Sequence, residues 1–270
     1  MARWESGDVQ DTDAARQAAE VAVELSEQEQ PPDPRRVVRA LRGVGRSAAR
    51  VAGSARRGAG TAGRGAASLL NWLTAQVIAM GPRLRIRDQA TLRAQFPGRS
   101  DEEIGELLID HAARAATAVG GATGAWAVLP VLPAFPVEVA AETLAVVGIE
   151  LKLVAELHEA YGAPATGNAA ERARAYLAAW AHRRGFYMVP GGLLLAAGSP
   201  LARQLRRRLL ARVRRSTFSL APLFTGAIAG AMMNRRETRR LGRDIVADLR
   251  RGPVVRAEAV GRPPLTGPRD

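Results

Sequence analysis

Residues 115–162 read AATAVGGATGAWAVLPVLPAFPVEVAAETLAVVGIELKLVAELHEAYG. Whether this stretch crosses a bilayer or folds back on itself decides the fold. No charged residue falls between Thr117 and Val137, whereas the second arm carries Glu138, Glu142, Glu150, Lys152, Glu156 and Glu159. A crossing helix needs about 20 predominantly apolar residues to traverse about 30 Å of hydrocarbon. The first arm can be helical only from about Ala115 to Leu129, because Pro130, Pro133 and Pro136 remove backbone donors and restrict the residues before them. At about 1.5 Å per residue it reaches only about 22 Å. On the second arm the longest uncharged window is Thr143 to Ile149, and each charge at a bilayer centre costs about 2.5–3.5 kcal/mol. The sequence therefore predicts a buried helical hairpin, with a re-entrant dip into one leaflet as the alternative.

Glycine marks where helices should approach closely. Gly120, Gly121 and Gly124 each cost about 1 kcal/mol of helix propensity relative to alanine, and small residues at this spacing are a helix-contact device. Gly226 and Gly230 repeat the pattern as GxxxG further along. On the second arm, Glu138, Glu142, Ala145, Ile149, Lys152 and Glu156 fall on one helical stripe, with Val137, Ala141, Leu144, Val147, Leu151 and Val154 opposite. Lys152 and Glu156 can pair at i, i+4, while Glu138 and Glu142 repel unless a cation intervenes. The stripe is either a solvated face or, at Glu138 and Glu142, an acidic clasp for arginines from elsewhere in the chain.

Composition narrows the class further. Aromatic residues make up 4% of the 270, and alanine, leucine, valine and arginine dominate, which favours helix over sheet. No run alternates apolar and polar residues as a half-buried strand would. There is no cysteine, so disulfides and thiolate metal sites are ruled out. The expected fold is all-α, a compact helical domain around the glycine-rich hairpin, with basic amphipathic helices and disordered tails.

The net charge of +13 is unevenly placed. Residues 1–34 hold nine acids against Arg3 and Arg16, a net of −7 that leaves +20 for the remainder. This part reads as an acidic flexible or loosely docked arm, in which residues 11–29 could form an alanine-rich helix, closed by Pro31, Pro32 and Pro34. Residues 35–65 form a basic Gly/Arg-rich segment, an amphipathic helix or a linker. Arg35, Arg39, Arg42, Arg46 and Arg50 lie along one face, opposite Val37, Leu41, Val44, Ala48 and Val51. Residues 66–251 make up the helical domain, and the Pro/Gly/Arg-rich residues 252–270 a disordered tail. Within the domain, Ser100 and Glu103 make a capping box that opens a helix at Asp101. Another helix is expected from about Asn168 to Arg184. A second basic amphipathic helix is expected at 200–215, where Leu201, Leu205, Leu209 and Val213 oppose Arg203, Arg206, Arg207, Arg212, Arg214 and Arg215. The uncharged windows 66–82 and 216–234 carry arginines at both ends. That flanking favours burial in protein or a position along one surface over a crossing.

No catalytic set emerges. His111, His158 and His182 lack metal-ligand spacing, no GxSxG elbow occurs, and the one lysine, Lys152, is not in a phosphate loop. Gly58–Gly63 matches GxGxxG, but no strand leads into it. No catalytic residue, metal or cofactor is therefore expected.

The run TAVGGATG…LPVLPAFPVEVAAETLAVVGIELKLVAELHEAYG resembles the central signature of the EcsC family: a small-residue helix, a proline turn with an acid, and a helix ending in Tyr-Gly. FPGRSDEEIGELL before it, ERARAYLAAW after it and APLFTGAIAGAMMNRRETRRLGRDIVADL near the end follow the family's order, so the similarity covers roughly residues 90–250. The acid at the helix start is Glu138 here, where the family tends to carry aspartate. The resemblance implies association with membranes or with ABC transport machinery, and nothing catalytic.

These readings lead to a membrane-associated, non-catalytic protein at the cytoplasmic face, since no signal-peptide or lipidation pattern opens the chain. The expected partner is an anionic membrane surface or a membrane protein. Contacts are expected from Arg203, Arg206, Arg207, Arg212, Arg214 and Arg215, then from Arg35, Arg39, Arg42, Arg46 and Arg50. The competing classes are a membrane-proximal hydrolase acting on lipid or peptide, and a nucleic-acid binder using the same arginines. The latter is disfavoured for single strands because few aromatics interleave with the arginines.

Overall fold

The computed structural model describes residues 5–28, 30, 32–58, 72–126, 135–189, 192–195 and 223–251. Helix α1 spans Glu5–Glu27 and α2 spans Pro34–Gly58. Residues 72–80 form α3, which runs into a 3₁₀ turn at Gly81–Arg83. Then follow α4 (Gln89–Gln95), α5 (Asp101–Trp126), α6 (Phe135–Ala160), α7 (Ala169–Arg184) and α8 (Leu223–Arg250). The fold is all-α apart from one short antiparallel ladder, β1 (Phe186–Val189) with β2 (Gly192–Leu195), which pairs Phe186 with Leu195 and Val189 with Gly192. Sequence periodicity missed this ladder because two four-residue apolar runs are too short to show alternation.

The predicted hairpin is present as α5 and α6, and residues 127–134 between them lie outside the described residues. Its start is fixed by the predicted cap: Ser100 Oγ accepts from the Glu103 amide at 3.2 Å, and Glu103 accepts from the Ser100 amide at 2.9 Å. Gly162, with φ 66°, closes the far end of α6 in a left-handed conformation. The arms run antiparallel. A Cβ on Gly105, near the start of α5, would come within 2.9 Å of Tyr161, just past the end of α6.

The hub of the fold is α6, which packs against α1, α2, α4, α5, α7 and α8. From Ala140 to Ala160 it is buried on every face, with only Glu142, Thr143, Val146 and His158 half-buried. Burial all round explains why the expected solvated stripe is absent: Ala145, Ile149 and Lys152 are 0% exposed and Glu156 2%. A helix viewed alone shows two faces, but six neighbours leave none of this one to water.

The expected acidic arm is also a core helix. Ala14, Ala15, Ala18, Ala19, Ala22 and Leu25 of α1 are buried, spaced so that they share one face, while Glu20 and Glu24 point outward. This alanine face lies against Gly148 of α6, where an added Cβ would meet the Ala22 methyl at 2.9 Å and Met80 Sδ at 3.0 Å. The basic segment forms a helix with its apolar side buried. Val37, Leu41 and Val44 are 0% exposed, and burying such side chains contributes about 1.5–3 kcal/mol each. The second basic stretch, 200–215, and the tail, 252–270, lie outside the described residues.

Helix α8 lies antiparallel along α5. A Cβ on Gly120 would meet the Ala231 backbone at 3.1 Å and Asn234 Nδ2 at 2.8 Å, and one on Gly242 would meet Ile109 at 2.6 Å. Of the expected packing glycines, Gly120 and Gly230 do face each other across this contact. Gly121 does not: an added Cβ there meets nothing within 4 Å. Gly124 and Gly226 sit within α5 and α8, but their surroundings lie outside the described residues. Among the described residues, no helix is long and apolar enough to cross a membrane.

Candidate functional site

Ionic groups concentrate along α6 and join it to α1, α4, α7, α8 and residues 85–88. At its middle, the Glu150 carboxylate is buried and accepts from Arg184 Nε at 3.0 Å, from Trp180 Nε1 at 3.0 Å and from Thr238 Oγ1 at 3.2 Å. Arg184 Nη2 also pairs with Glu150, and Arg184 Nη1 reaches Glu237 at 3.2 Å. This set ties α6 to α7 and α8. Arg184 is the last residue of α7, where Gly185 at φ 75° caps the helix and turns the chain towards β1.

Nearly two turns further along, Arg87 grips Glu156 with both prongs of its guanidinium, Nε to Oε1 at 2.8 Å and Nη2 to Oε2 at 2.7 Å, and also reaches Gln95 at 2.7 Å. Lys152 pairs with Glu156 across one turn, as the spacing predicts. Its ammonium also donates to the Arg85 carbonyl at 3.1 Å and lies 3.2 Å from Glu27 at the end of α1. Burial opposes ionisation of Glu156, but the hydrogen bonds from Arg87 and the charges of Lys152 and Arg87 outweigh it and hold the carboxyl below the usual range. This second set ties α6 to α1, α4 and the extended residues 85–88.

At the end of α6, Glu159 pairs with Arg172 and accepts from Tyr176 Oη at 3.0 Å. Burial raises the Tyr176 hydroxyl above its ordinary pKa against hydrogen bonds from Ala165 and Arg172. The neighbouring His158 ring contacts Val154 O through Nδ1 at 2.7 Å. Burial lowers its pKa against that bond and the Glu159 charge.

Chemically, these sets are fasteners. Taking so many charges out of water is costly, and the attraction of each pair does little more than offset that cost. What the contacts supply is registry, because α1, α7 and the 85–88 segment each set a cation or anion, and α8 the Thr238 hydroxyl, against a particular charged group of α6. A general base needs a pKa near neutrality and access to substrate, and Glu156 is both depressed and enclosed. The described residues contain no group of three or more His, Asp or Glu able to hold a metal ion. His111 is buried, His158 half-buried and His182 exposed, on separate helices.

Of the expected clasp, Glu138 and Glu142, only the Glu142 side chain lies among the described residues. Glu142 is half-buried and accepts from Asn234 Nδ2 at 3.0 Å, which also reaches Ala116 O at 3.4 Å, so α5, α6 and α8 meet at that amide. The Glu138 side chain lies outside the described residues. Further along α6, arginines clasp three carboxylates, Glu150, Glu156 and Glu159.

The expected contact arginines fall into three groups. Arg35, Arg39, Arg42 and Arg46 stand exposed along the outer face of α2, joined by Arg36. The Arg50 side chain lies outside the described residues, as do Arg203, Arg206, Arg207, Arg212, Arg214 and Arg215. Arg35, Arg36, Arg39 and Arg46 make no ion pair among the described residues. The α2 row thus differs in kind from Arg87 and Arg184, whose charges are neutralised inside the fold. No family model, curated protein or solved structure matches this chain.

Proposed function

We propose that this chain is an EcsC-like, non-catalytic helical protein that attaches peripherally to an anionic membrane surface at the cytoplasmic face. The observation that carries the reading is the outer row of α2, where Arg35, Arg36, Arg39 and Arg46 face solvent without an acidic partner among the described residues. The helix spends its apolar side on the core, so its contact with a membrane is electrostatic. Phosphate headgroups suit a row of guanidiniums, and each basic residue near such a surface contributes about 1 kcal/mol. The use of Glu150, Glu156 and Glu159 as fasteners supports the non-catalytic part of the reading.

Co-sedimentation with vesicles tests it. Anionic vesicles should bind the protein at low salt and release it as ionic strength approaches about 1 M, where the screening length falls to about 3 Å. The R35Q/R39Q/R46Q variant, altered only at exposed positions, should partition on the order of 100-fold less at about 1 kcal/mol per arginine. Equal binding to neutral vesicles, or none to anionic vesicles at low salt, rejects the reading.

A further inference from the structure

Large apolar side chains of this fold are generally buried, but Ile228 and Met232 on α8 are 59% and 66% exposed. One turn apart, they share a face of the helix. The same face continues with Arg235, Arg236, Arg240 and Arg243, all exposed. Arg235, Arg236 and Arg243 make no ion pair among the described residues, and Arg240 has only an exposed partner, Asp244, at 3.9 Å. By contrast, Arg239 turns aside to Asp110 at 2.5 Å. The outer face of α8 is therefore apolar near its start and cationic beyond.

We infer that this face is the protein's lipid-contact element: Ile228 and Met232 enter the acyl boundary of one leaflet while Arg235 and Arg236 hold headgroup phosphates just above them. The inference rests on the membrane reading and deepens it by naming the inserting segment. Its dimensions fit. With the start of α8 tilted towards the membrane, Met232 sits up to about 6 Å deeper than Arg236, one turn on, which puts the apolar pair below the headgroup level and the guanidiniums at it. A second copy of the chain is a poorer occupant. Two aliphatic side chains fall well short of the about 800 Å² that each partner of a stable interface buries. An isologous contact would also bring two arginine rows close together. An anionic lipid surface instead complements both halves of the face.

The chain has no cysteine, so the full-length M232C protein can carry a single environment-sensitive fluorophore, with E20C on the outward face of α1 as the control. On vesicles of equimolar phosphatidylglycerol and phosphatidylcholine, the label at 232 should shift to the blue and be quenched by a spin label placed shallowly in the acyl chains. The label at 20 should remain as in water. An R235Q/R236Q variant should partition roughly 30-fold less, at about 1 kcal/mol per arginine, and I228S/M232S at least about tenfold less. Protein that binds these vesicles with the label at 232 still in water overturns the inference and leaves the membrane reading standing. Protein that does not bind them overturns both. A lipid-free dimer that I228S/M232S abolishes would assign the face to a second copy and overturn the inference.

Discussion

Replacing Glu150 by leucine should cost this protein a large share of its stability without opening a cavity, because leucine fills nearly the same space. The loss comes from charge. Arg184 is 5% exposed, and with Glu150 gone its guanidinium keeps only the partly exposed Glu237 at 3.2 Å. Removing one member of a buried pair typically costs about 3–5 kcal/mol, since the other is left uncompensated away from water. Thr238 and Trp180 each lose an acceptor as well. An expected loss near 4 kcal/mol compares with a total of about 5–15 kcal/mol for a typical domain. Urea unfolding followed by circular dichroism measures it as a lower midpoint at unchanged slope. The same reasoning fixes the sign of a second step. Adding R184M to E150L removes the stranded charge and should recover at least about 2 kcal/mol. A single variant that loses less than about 1 kcal/mol, or a double variant that loses as much as the single, would refute the fastener account of α6.

Adjacent glycines on α5 should respond oppositely. Gly120→Ala should destabilise, because its Cβ would press on the Ala231 backbone, whereas Gly121→Ala, open within 4 Å, should stabilise by up to about 1 kcal/mol through helix propensity. Thermal melts of the two variants decide this. The depressed Glu156 carboxyl contributes stability that is present above the ordinary carboxylate pKa of about 4.3. That contribution is lost as pH falls through the lower folded-state value. Acid titration of stability should therefore be shallower in E156Q than in the parent chain, and equal slopes count against it. His158, held neutral mainly by burial, works in the same direction nearer neutrality. Stability should begin to fall as pH drops below about 6.5, the ordinary histidine value, and H158F should remove that component. Proton NMR of the His158 ring should give a titration midpoint below the ordinary value.

The parts legible in the sequence were those set by local chemistry. The Ser100–Glu103 box is decided within a few residues, and the helix it opens starts at Asp101 as the pattern puts it; α7, expected from about Asn168 to Arg184, spans Ala169–Arg184 with Asn168 as its cap. The face of α2 was legible for the same reason, because Val37, Leu41 and Val44 recur at helical spacing. Missing the burial of α1 had a physical cause. Its buried face is alanine, which carries little hydrophobic signal, and its fit depends on a glycine about 130 positions later, Gly148. The spacing of Ala14, Ala15, Ala18, Ala22 and Leu25 was the available clue, hidden beneath a net negative charge. The role of Glu150 and Glu156 could not be read from α6 alone. Nothing local distinguishes Arg87 or Arg184 from the many surface arginines, and only the packing of distant helices brings them to those carboxylates.

The seating of α1 on Gly148 also bears on how the protein is made. Synthesis proceeds from the N-terminus at about 5–20 residues per second, so α1 emerges roughly 6–26 s before the groove that receives it. For that interval it can pair with α2, which follows it directly, but not with the helix that seals its alanine face. A leucine face would make it adhesive, but methyl groups framed by Glu20 and Glu24 keep it in solution until the rest of the chain arrives.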